Sequence, residues 1–386
     1  MKRTKLCYGM VGGSKGAFIG SVHRWAISIE ESAELVAGSF HPDYEESKKT
    51  GVFYGLNEDR IYHDYKEMAE KEAQRADKID FVSIVTPNAL HYEVAKAFIQ
   101  AGINVYCEKP LCFEIDQAEE LMQLAKEKGV LFAVSYSYTG YGMVKFAKDI
   151  IAKGDIGEII NVNAEYLQDW LIDEIGDGNV STNKLSIWRM DPKHAGASNC
   201  VGDIGTHING TVNYMTGLKV KKVAAVLDRF GLALDVNANI LIEFDNGAHG
   251  VYSSSQVCVG HYNGLVIRIF GTKGAIEWIQ EIPDQLKVTK KGQPEQIYHR
   301  GTGNVDGIAA LRNHIPAGHP EGLVMAFANI FRAFQDALLK KINGEVLSPS
   351  DLDFPTVKDG ADGVRFIHAA VKSDKTDAAW VELESL

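Results

Sequence analysis

Short apolar runs alternate with longer amphipathic segments along the first 150 residues of the chain. An unbroken apolar run bounded by glycine or polar residues is typical of a buried strand, whereas apolar residues that recur every three to four positions indicate a helix. The runs predict strands at Leu6–Val11, Leu35–Ser39, Phe81–Val85, Asn104–Cys107 and Leu131–Val134. Between them the pattern predicts helices through Trp25 and Ile29 and at Tyr65–Ala76, Ala89–Ala101 and Gln117–Lys128. This alternation specifies an α/β fold with a doubly wound parallel sheet.

The rhythm changes after residue 155, where strands follow one another with few helices between them. Several of these strands alternate apolar and polar residues, as strands with one solvent-facing or oligomer-facing side do. The predicted strands are Ile159–Tyr166, Val223–Asp228, Ala238–Phe244, Gly250–Gln256, Leu265–Phe270 and Ala275–Ile279. Asp245-Asn246-Gly247 is typical of a hairpin turn. The pattern therefore predicts a mainly antiparallel sheet, followed by amphipathic helices at Gly322–Lys341 and Asp359–Val371.

The length of the chain indicates two domains. A chain of 386 residues exceeds the size that one hydrophobic core usually serves. We place the domains at residues 1–150 and 151–386, joined by a helix near residues 140–153. Whether the C-terminal helices belong to the second domain alone or pack back on the first is left open.

The composition argues against several classes of protein. The net charge of −11 comes with no basic tract, which argues against a nucleic-acid partner. No apolar run approaches the ~20 residues that span a bilayer, which argues against a membrane protein. The five cysteines are an odd number without a CxxC pair, so we expect neither a disulfide framework nor a zinc knuckle, and a reducing cytoplasm is favoured.

Glycines cluster directly after the first predicted strand, where residues 9–20 read GMVGGSKGAFIG. A glycine turn between a strand and a helix lets the backbone approach a pyrophosphate, whose charge then lies at the helix N-terminus. The spacing departs from GxGxxG. If Gly12 is the first glycine and Gly20 the last, the loop has three extra residues and Ser14 takes the place of the second glycine. The turn indicates a dinucleotide site, the alternative being a glycine loop without a ligand.

The end of the second predicted strand bears on the choice of cofactor. NAD-binding domains usually carry an acid there for the ribose hydroxyls, and NADP-binding domains a nearby cation. This chain reads Ser39-Phe40-His41-Pro42-Asp43, with no acid at the strand end and no Lys or Arg before Lys48. Ser39 can hydrogen-bond a ribose hydroxyl or a 2′-phosphate. Because no cation is near, the sequence favours NAD and leaves NADP open.

Lys109 stands in the tripeptide Glu108-Lys109-Pro110, directly after a predicted buried strand. Ligands of a parallel sheet lie beyond the carboxyl ends of its strands. A lysine at that place can hydrogen-bond a substrate oxygen and favour its deprotonated form. The alternative is a solvated lysine at a strand end.

A second turn with candidate chemistry follows the predicted strand Phe81–Val85. It reads Thr86-Pro87-Asn88, with His91 three residues further on. The turn would lie at the same sheet edge as Lys109 and face a nicotinamide. The alternative is that Asn88 only caps a helix.

Asp203 and His207 are four residues apart at the start of a helical pattern, a spacing that places both on one helical face. A carboxylate beside an imidazole can orient the ring and raise its pKa, which makes a general base near neutral pH. Two alternatives stay open. Asp203 could cap the helix beside a solvated His207, or the pair could be two metal ligands, although no third ligand is associated with them.

Other candidates flank these motifs. Trp188-Arg189 precedes Asp203, where the arginine could clamp a hydroxyl-rich ligand or a cofactor phosphate, or belong to a packed surface pair. Tyr136, Tyr138 and Tyr141 follow the last strand of the first half. They could line the crevice or only pack.

Together these residues resemble the glucose–fructose oxidoreductase, inositol dehydrogenase and rhizopine-catabolism (Gfo/Idh/MocA) family over nearly the whole chain. The resemblance rests on five motifs in the family's order. They are the glycine turn running into Gly20-Ser21-Val22-His23, then Thr86-Pro87-Asn88 with His91, Glu108-Lys109-Pro110, Trp188-Arg189, and Gly202-Asp203-Ile204-Gly205-Thr206-His207. The chain departs from the common pattern in its enlarged first turn, in the missing acid after the second strand, and in residues 134–139, where many members have an arginine.

The resemblance implies an N-terminal Rossmann domain and a C-terminal α/β domain with an open sheet, through which members assemble as homodimers or homotetramers. It implies that Lys109 contacts substrate and nicotinamide, that Asp203 contacts substrate, and that His207 transfers the proton. Tyr136 and Tyr138 join these three as expected substrate contacts, and no metal is expected. The expected cofactor contacts are Gly12, Gly13, Ser14, Phe18, Ile19, Ser39, Thr86, Pro87, Asn88, His91, Glu108, Lys109, Trp188 and Arg189.

The expected function is hydride transfer between NAD(P) and a sugar, an inositol or a related polyol. Two alternatives remain. Some relatives use NAD to oxidise a sugar transiently and so process a glycosidic bond. The fold also serves as a non-enzymatic dinucleotide sensor, although a sensor needs no proton-transfer residue such as His207.

Overall fold

The computed structural model describes residues 4–175 and 189–386. The chain forms two compact units. The first runs to Ser135 and includes Phe327–Ala361, and the second comprises Tyr136–Ala326 and Asp362–Leu386. The division into domains at residues 150 and 151 stays a prediction.

The first unit is built on a five-stranded sheet in which all neighbours are parallel, in the order β2-β1-β3-β4-β5. The chain leaves β1 in one direction to form β2 and then in the other to form β3, so the topological switch point lies between β1 and β3. The expectation of a doubly wound parallel sheet is confirmed. Its strands are β1 (Leu6–Gly12), β2 (Ala33–Ser39), β3 (Phe81–Val85), β4 (Asn104–Cys107) and β5 (Phe132–Val134).

One helix of this unit was not predicted. The helix α2 gave no apolar signal because the residues that it buries are Ser47, Thr50 and Gly51. Its start is fixed instead by Asp43, whose side chain accepts a hydrogen bond from the Glu46 amide. The helices are α1 (Phe18–Ile29), α2 (Tyr44–Phe53), α3 (Tyr65–Gln74), α4 (His91–Gln100) and α5 (Ile115–Lys128).

The second unit is built on a nine-stranded sheet in the order β13-β12-β11-β10-β6-β9-β8-β7-β14. Only β6 and β9 pair in parallel, so the mainly antiparallel prediction is confirmed. The Asp245-Asn246-Gly247 turn joins β8 to β9, with Gly247 at φ +84°. The strands are β6 (Ile159–Leu167), β7 (Val220–Asp228), β8 (Asn237–Phe244), β9 (His249–Ser255), β10 (Gly264–Gly271), β11 (Gly274–Ile279), β12 (Gln285–Lys290), β13 (Gln296–His299) and β14 (Val381–Glu382).

One face of this sheet is packed and the other is open. Along β6, Val162, Ala164 and Tyr166 are buried, while the residues between them face outward. Within the described ranges, no helix is both long and apolar enough to cross a membrane. The remaining helices are α6 (Gly142–Ala152), α7 (Pro192–Ala195), α8 (Thr206–Thr216), α9 (Gly307–Leu311), α10 (Leu323–Ile342) and α11 (Val357–Lys375).

Candidate active site

The glycine turn brings β1 and α1 into backbone contact. A Cβ on Gly20 would lie 2.4 Å from the Gly13 Cα atom, and one on Gly12 would lie 2.8 Å from the Val85 carbonyl oxygen. Gly12 also has φ +82°. Despite the longer loop, Gly20 therefore allows the close packing that the third glycine of a dinucleotide fingerprint provides.

The start of α1 is suited to an anion. Its first turn holds no acidic residue, and its N-cap Ala17 makes no side-chain cap. The positive end of the helix dipole and its first amides are thus left for a ligand phosphate. Tyr54 fixes the loop by donating to the Gly13 carbonyl at 3.2 Å. In the described part of the chain, Thr86 Oγ1 is buried with no hydrogen-bond partner, as expected of a group that contacts a ligand.

The surroundings of Ser39 offer little to a 2′-phosphate. Ser39 ends β2 and is buried. The lysines that follow it are engaged, Lys48 with Glu58 at 2.8 Å and Lys49 with Glu46 at 2.7 Å.

His91 joins the loops that follow β3 and β4. Its Nε2 lies 3.0 Å from the Thr86 carbonyl oxygen, and its Nδ1 lies 2.7 Å from the carbonyl oxygen of Pro110. Burial lowers the pKa of His91, so the neutral ring donates to one carbonyl at a time. The helix-capping alternative for Asn88 is wrong, since α4 begins at His91 and the residues that precede the two helical turns make no side-chain caps.

Glu108 is a buried carboxylate that connects the Lys109 loop to α1. Its Oε1 lies 2.8 Å from Nε2 of the fully buried His23, whose Nδ1 lies 3.0 Å from Ser83 Oγ. Burial works to raise the pKa of Glu108, but the hydrogen bond to His23 and the charge of Lys109 outweigh it, and the pKa lies below its usual value. The other oxygen of Glu108 accepts the Lys109 amide at 3.1 Å, and the Lys109–Pro110 peptide is cis.

In the second unit, Asp203 lies in a π-helical turn, Val201–Gly205, that runs directly into α8. Its Oδ2 accepts a hydrogen bond from Gln256 Nε2 at 2.9 Å, and its Oδ1 forms an ion pair with Arg189. The Arg189 guanidinium also lies 5.7 Å from the Trp170 ring centroid. The carboxylate is therefore held by side chains, and the helix-capping alternative for Asp203 is wrong. Trp188 lies outside the described residues.

His207 is buried among tyrosine rings, which rules out the alternative of a solvated histidine. Only 7% of the residue is exposed. The ring of Tyr138 is nearest, with its centroid 4.7 Å from that of His207, and Tyr136 and Tyr166 lie at 6.2 and 6.4 Å. Tyr136 also shares a 3.1 Å hydrogen bond with Thr206 Oγ1. The predicted tyrosines both pack and line the surroundings of His207.

The hydroxyls of two of these tyrosines form a closed ring of hydrogen bonds. Tyr166 donates to Asn263 Oδ1 at 2.5 Å, Asn263 Nδ2 donates to Tyr138 at 3.3 Å, and the two hydroxyls bond to each other. Burial raises the pKa of both Tyr138 and Tyr166. Both therefore remain protonated near neutral pH.

The predicted site residues divide between the two units. The cofactor candidates from Gly12 to Lys109 lie in the first, with Ser14 and Ile19 in the glycine loop and α1 and Phe18 exposed at the helix start. Tyr136, Tyr138, Arg189, Asp203 and His207 lie in the second. No role was predicted for His23, which stands in the first motif, nor for Tyr166, Gln256 and Asn263. The alternation of buried and exposed residues along β6 indicates that Tyr166 is buried, but no local pattern indicates the partners of His23, Gln256 and Asn263.

Across residues 4–175 and 189–386, no group of three or more His, Cys, Asp or Glu side chains is arranged to hold a metal ion.

Comparison with known proteins identifies both halves of the chain. The model described as "Oxidoreductase family, NAD-binding Rossmann fold" matches residues 6–136, and the "GFO/IDH/MocA C-terminal domain" matches residues 144–277. The uncharacterized oxidoreductase YfiI of Bacillus subtilis is 34% identical, over 98% of this chain and 97% of the relative. Levoglucosan dehydrogenase of Pseudarthrobacter phenanthrenivorans is 32% identical, over 80% of this chain and 81% of the relative.

A solved structure is similar over the whole chain. The inositol dehydrogenase homolog of Azotobacter vinelandii, in complex with NADH and myo-inositol, has a TM-score of 0.90 at 33% identity. The similarity covers 99% of this chain and 98% of that one. The first unit thus holds an NAD-binding Rossmann domain.

Replacing Gly20 by alanine should impair dinucleotide binding. The added Cβ, 2.4 Å from Gly13 Cα, must push the loop away from α1. Overpacking of about 1–3 kcal/mol corresponds to a rise in the NAD Kd of about tenfold, measured by fluorescence titration. Gly303→Ala is the control, because its Cβ would meet no atom within 4 Å. An unchanged Kd in Gly20→Ala would contradict the assignment of the loop.

Replacing Glu108 by glutamine should lower stability at neutral pH. A neutral amide loses the charge-assisted hydrogen bond to His23, at a cost of about 1.5–3 kcal/mol. Because the folded-state pKa of Glu108 is depressed, this contribution is present above its ordinary pKa of 4.5 and is lost as the pH falls through the lower, folded-state value. Urea midpoints of wild type and variant should differ at pH 7 and converge in acid. A gap that stays constant with pH would contradict an ionised Glu108.

Proposed function

We propose that this chain, which belongs to the Gfo/Idh/MocA family of oxidoreductases, is an NAD-dependent dehydrogenase that oxidises a CH–OH group of a cyclic polyol or sugar. The observation that carries the proposal is His207, a buried imidazole packed against tyrosines that stay protonated. It lies one helical turn after the buttressed carboxylate of Asp203.

The chemistry divides into a hydride and a proton. NAD+, when bound, accepts the hydride from the substrate carbon. His207 takes the proton of the hydroxyl, so that CH–OH becomes C=O while NAD+ becomes NADH. Lys109 hydrogen-bonds the same oxygen and stabilises the negative charge that develops on it. Asp203 accepts a hydrogen bond from a neighbouring hydroxyl and so orients the ring of the substrate.

The substrate class is inferred from this set of groups. A cation, a carboxylate and an imidazole suit a ligand with several hydroxyls, which donate to the carboxylate and accept from the lysine. Two of the relatives named above are a levoglucosan dehydrogenase and an inositol dehydrogenase homolog in complex with myo-inositol, and both compounds are polyhydroxylated rings. We therefore assign a cyclic polyol or a sugar in its ring form.

NAD is the proposed cofactor in preference to NADP. Lys48 and Lys49, which follow β2, are each paired with a glutamate and so poorly placed to meet a 2′-phosphate. Asp43 is committed to capping α2. Ser39 is then the side chain at the strand end that bonds the ribose. The five cysteines are thiols that form no disulfide with one another, which supports a reducing compartment such as the cytoplasm.

Replacing Lys109 by alanine or His207 by asparagine should each lower kcat/KM by at least about a hundredfold, because each removes a group that acts in the transition state. NADH formation would be followed at its absorbance with inositols, aldoses and levoglucosan, using NAD+ and NADP+ in parallel. Wild type should prefer NAD+. Lys128→Ala and His299→Asn, at exposed positions, are the matched controls.

Three outcomes would count against this proposal. Wild-type turnover in both variants would contradict the residue assignment. Release of an aglycone without net NADH would favour transient oxidation in glycoside processing. Tight NAD binding with no turnover across the panel would favour a dinucleotide sensor.

The open face of the nine-stranded sheet supports a homodimer or homotetramer. Neighbouring strands expose Ile160, Val226, Leu241 and Val251, with 41–54% of each residue accessible. Leu241 and Val251 are direct cross-strand partners. The apolar patch that Val226, Leu241 and Val251 form on the adjacent strands β7, β8 and β9 is typical of a protein–protein interface.

Replacing Leu241 by glutamate should dissociate the oligomer, because it places a charge in the middle of the apolar patch. Light scattering coupled to size-exclusion chromatography should report a smaller mass than for wild type. Val346→Glu is the control, at a residue 95% exposed outside the patch. A monomeric wild type, or an unchanged mass for Leu241→Glu, would contradict assembly through this face.

A further inference from the structure

Asp203 is the end point of a continuous run of buried hydrogen bonds within the second unit. The run begins at Asp235, of which 1% is exposed, and passes through Asn199 and Gln256, which are 2% and 0% exposed. None of these three residues belongs to a motif that sequence analysis singled out. Buried polar side chains are costly unless they are satisfied, so a fully bonded set indicates a specific task.

Asp235 fixes the start of the π-helical turn. Its carboxylate accepts hydrogen bonds from the Ser198 hydroxyl at 2.8 Å and from the Asn199 and Val201 amides at 3.1 Å each. Ser198 Oγ in turn accepts the Val201 amide at 3.1 Å and the Gly202 amide at 3.4 Å. Amides at the beginning of a helical segment lack partners within it, and these two side chains supply them.

The side-chain amides of Asn199 and Gln256 determine which atom donates in each hydrogen bond between Asn199 and Asp203. Asn199 Nδ2 donates to the Asp235 carbonyl oxygen at 3.2 Å and to Gln256 Oε1 at 2.6 Å. Because the oxygen of Gln256 is thereby occupied as an acceptor, its NH₂ group faces Asp203 and donates to Oδ2 at 2.9 Å. The opposite orientation of Gln256 would place an oxygen against a carboxylate and an NH₂ against an NH₂.

A π-helical turn holds an extra residue compared with an α-helical turn, so regular helix geometry does not set the direction of a side chain within it. Asp203 lies in the middle of such a turn. Gln256, which directly follows β9, donates a hydrogen bond to one carboxylate oxygen of Asp203, and Arg189 forms an ion pair with the other. The orientation of the carboxylate thus depends on groups far away in sequence.

We propose that Gln256, fixed by Asn199 and Asp235, is a positioning residue that orients the Asp203 carboxylate toward a substrate hydroxyl. This inference rests on the proposed function for its catalytic consequence, but its structural part does not. Gln256 acts through Asp203. Its loss should therefore impair the fit of the substrate in the transition state and leave the binding of NAD to the glycine loop of the first unit unchanged.

Gln256→Glu isolates the link to Asp203. The new side chain keeps the oxygen that Asn199 bonds, loses the NH₂ donor, and places a carboxylate against Asp203. Asn237→Asp is the matched control, because Asn237 Nδ2 donates to the Asp228 carboxylate at 2.7 Å and the substitution makes the same change away from Asp203. Gln256→Leu, which removes both bonds, serves as the second variant if Gln256→Glu fails to fold.

The first measurement needs no substrate. Hydrogen–deuterium exchange, read by mass spectrometry on peptides covering residues 198–207, should be faster in Asp235→Asn and Gln256→Leu than in wild type, and unchanged in Asn237→Asp. Equal exchange in all variants would contradict the claim that these hydrogen bonds stabilise the π-helical turn. This result stands whether or not the proposed function is correct.

The second measurement uses the substrate that wild type oxidises best among inositols, aldoses and levoglucosan. Loss of a hydrogen bond to a charged group predicts that kcat/KM falls about ten- to hundredfold in Gln256→Glu, with an unchanged NAD Kd. The primary deuterium isotope effect should rise, because a misoriented substrate makes hydride transfer rate-limiting. A fall in kcat alone, with KM and isotope effect as in wild type, would mean fewer active molecules and would overturn positioning. If wild type oxidises no member of the panel of inositols, aldoses and levoglucosan, the proposed function fails while the exchange result still decides the structural part.

Discussion

The arrangement of the candidate site residues in the first unit depends on the hydrogen bond between His23 and Glu108. It joins α1, whose N-terminus is suited to a phosphate, to the loop that carries Lys109. The His23 ring is enclosed by Tyr106, Phe327 and Phe331, so water has little access to the bond. Losing this hydrogen bond to a buried carboxylate costs about 1.5–3 kcal/mol. The dinucleotide helix and the lysine loop therefore hold one arrangement.

The second unit fixes its two candidate catalytic groups by different physical means. His207 is surrounded by aromatic side chains, whose ring faces and edges restrict the imidazole. Asp203 is held by polar groups that bond both of its oxygens. The polar contacts of Asp203 suit its proposed role, since a carboxylate that orients a substrate needs a fixed direction.

Local sequence was sufficient for the parts of the fold that local patterns specify. The continuous apolar runs of β1 and β3 and the glycine turn between β1 and α1 were predicted because burial and tight packing leave a mark at those positions. The helix α2 was missed because it buries small polar residues, and β12 to β14 were missed as short strands near the sheet edges. No role was predicted for Gln256 and His23, because their partners lie 53 and 85 residues away and a periodic pattern does not indicate such a contact.

The proposed reaction is the direct transfer of a hydride from a substrate carbon to NAD+. Myo-inositol carrying deuterium on every ring carbon, incubated with the enzyme and unlabelled NAD+ in ordinary water, tests it most directly. Mass spectrometry of the nicotinamide product should show NADH heavier by one deuterium, because the transferred hydrogen comes from carbon and does not exchange with solvent. NADH formed without deuterium would contradict direct hydride transfer.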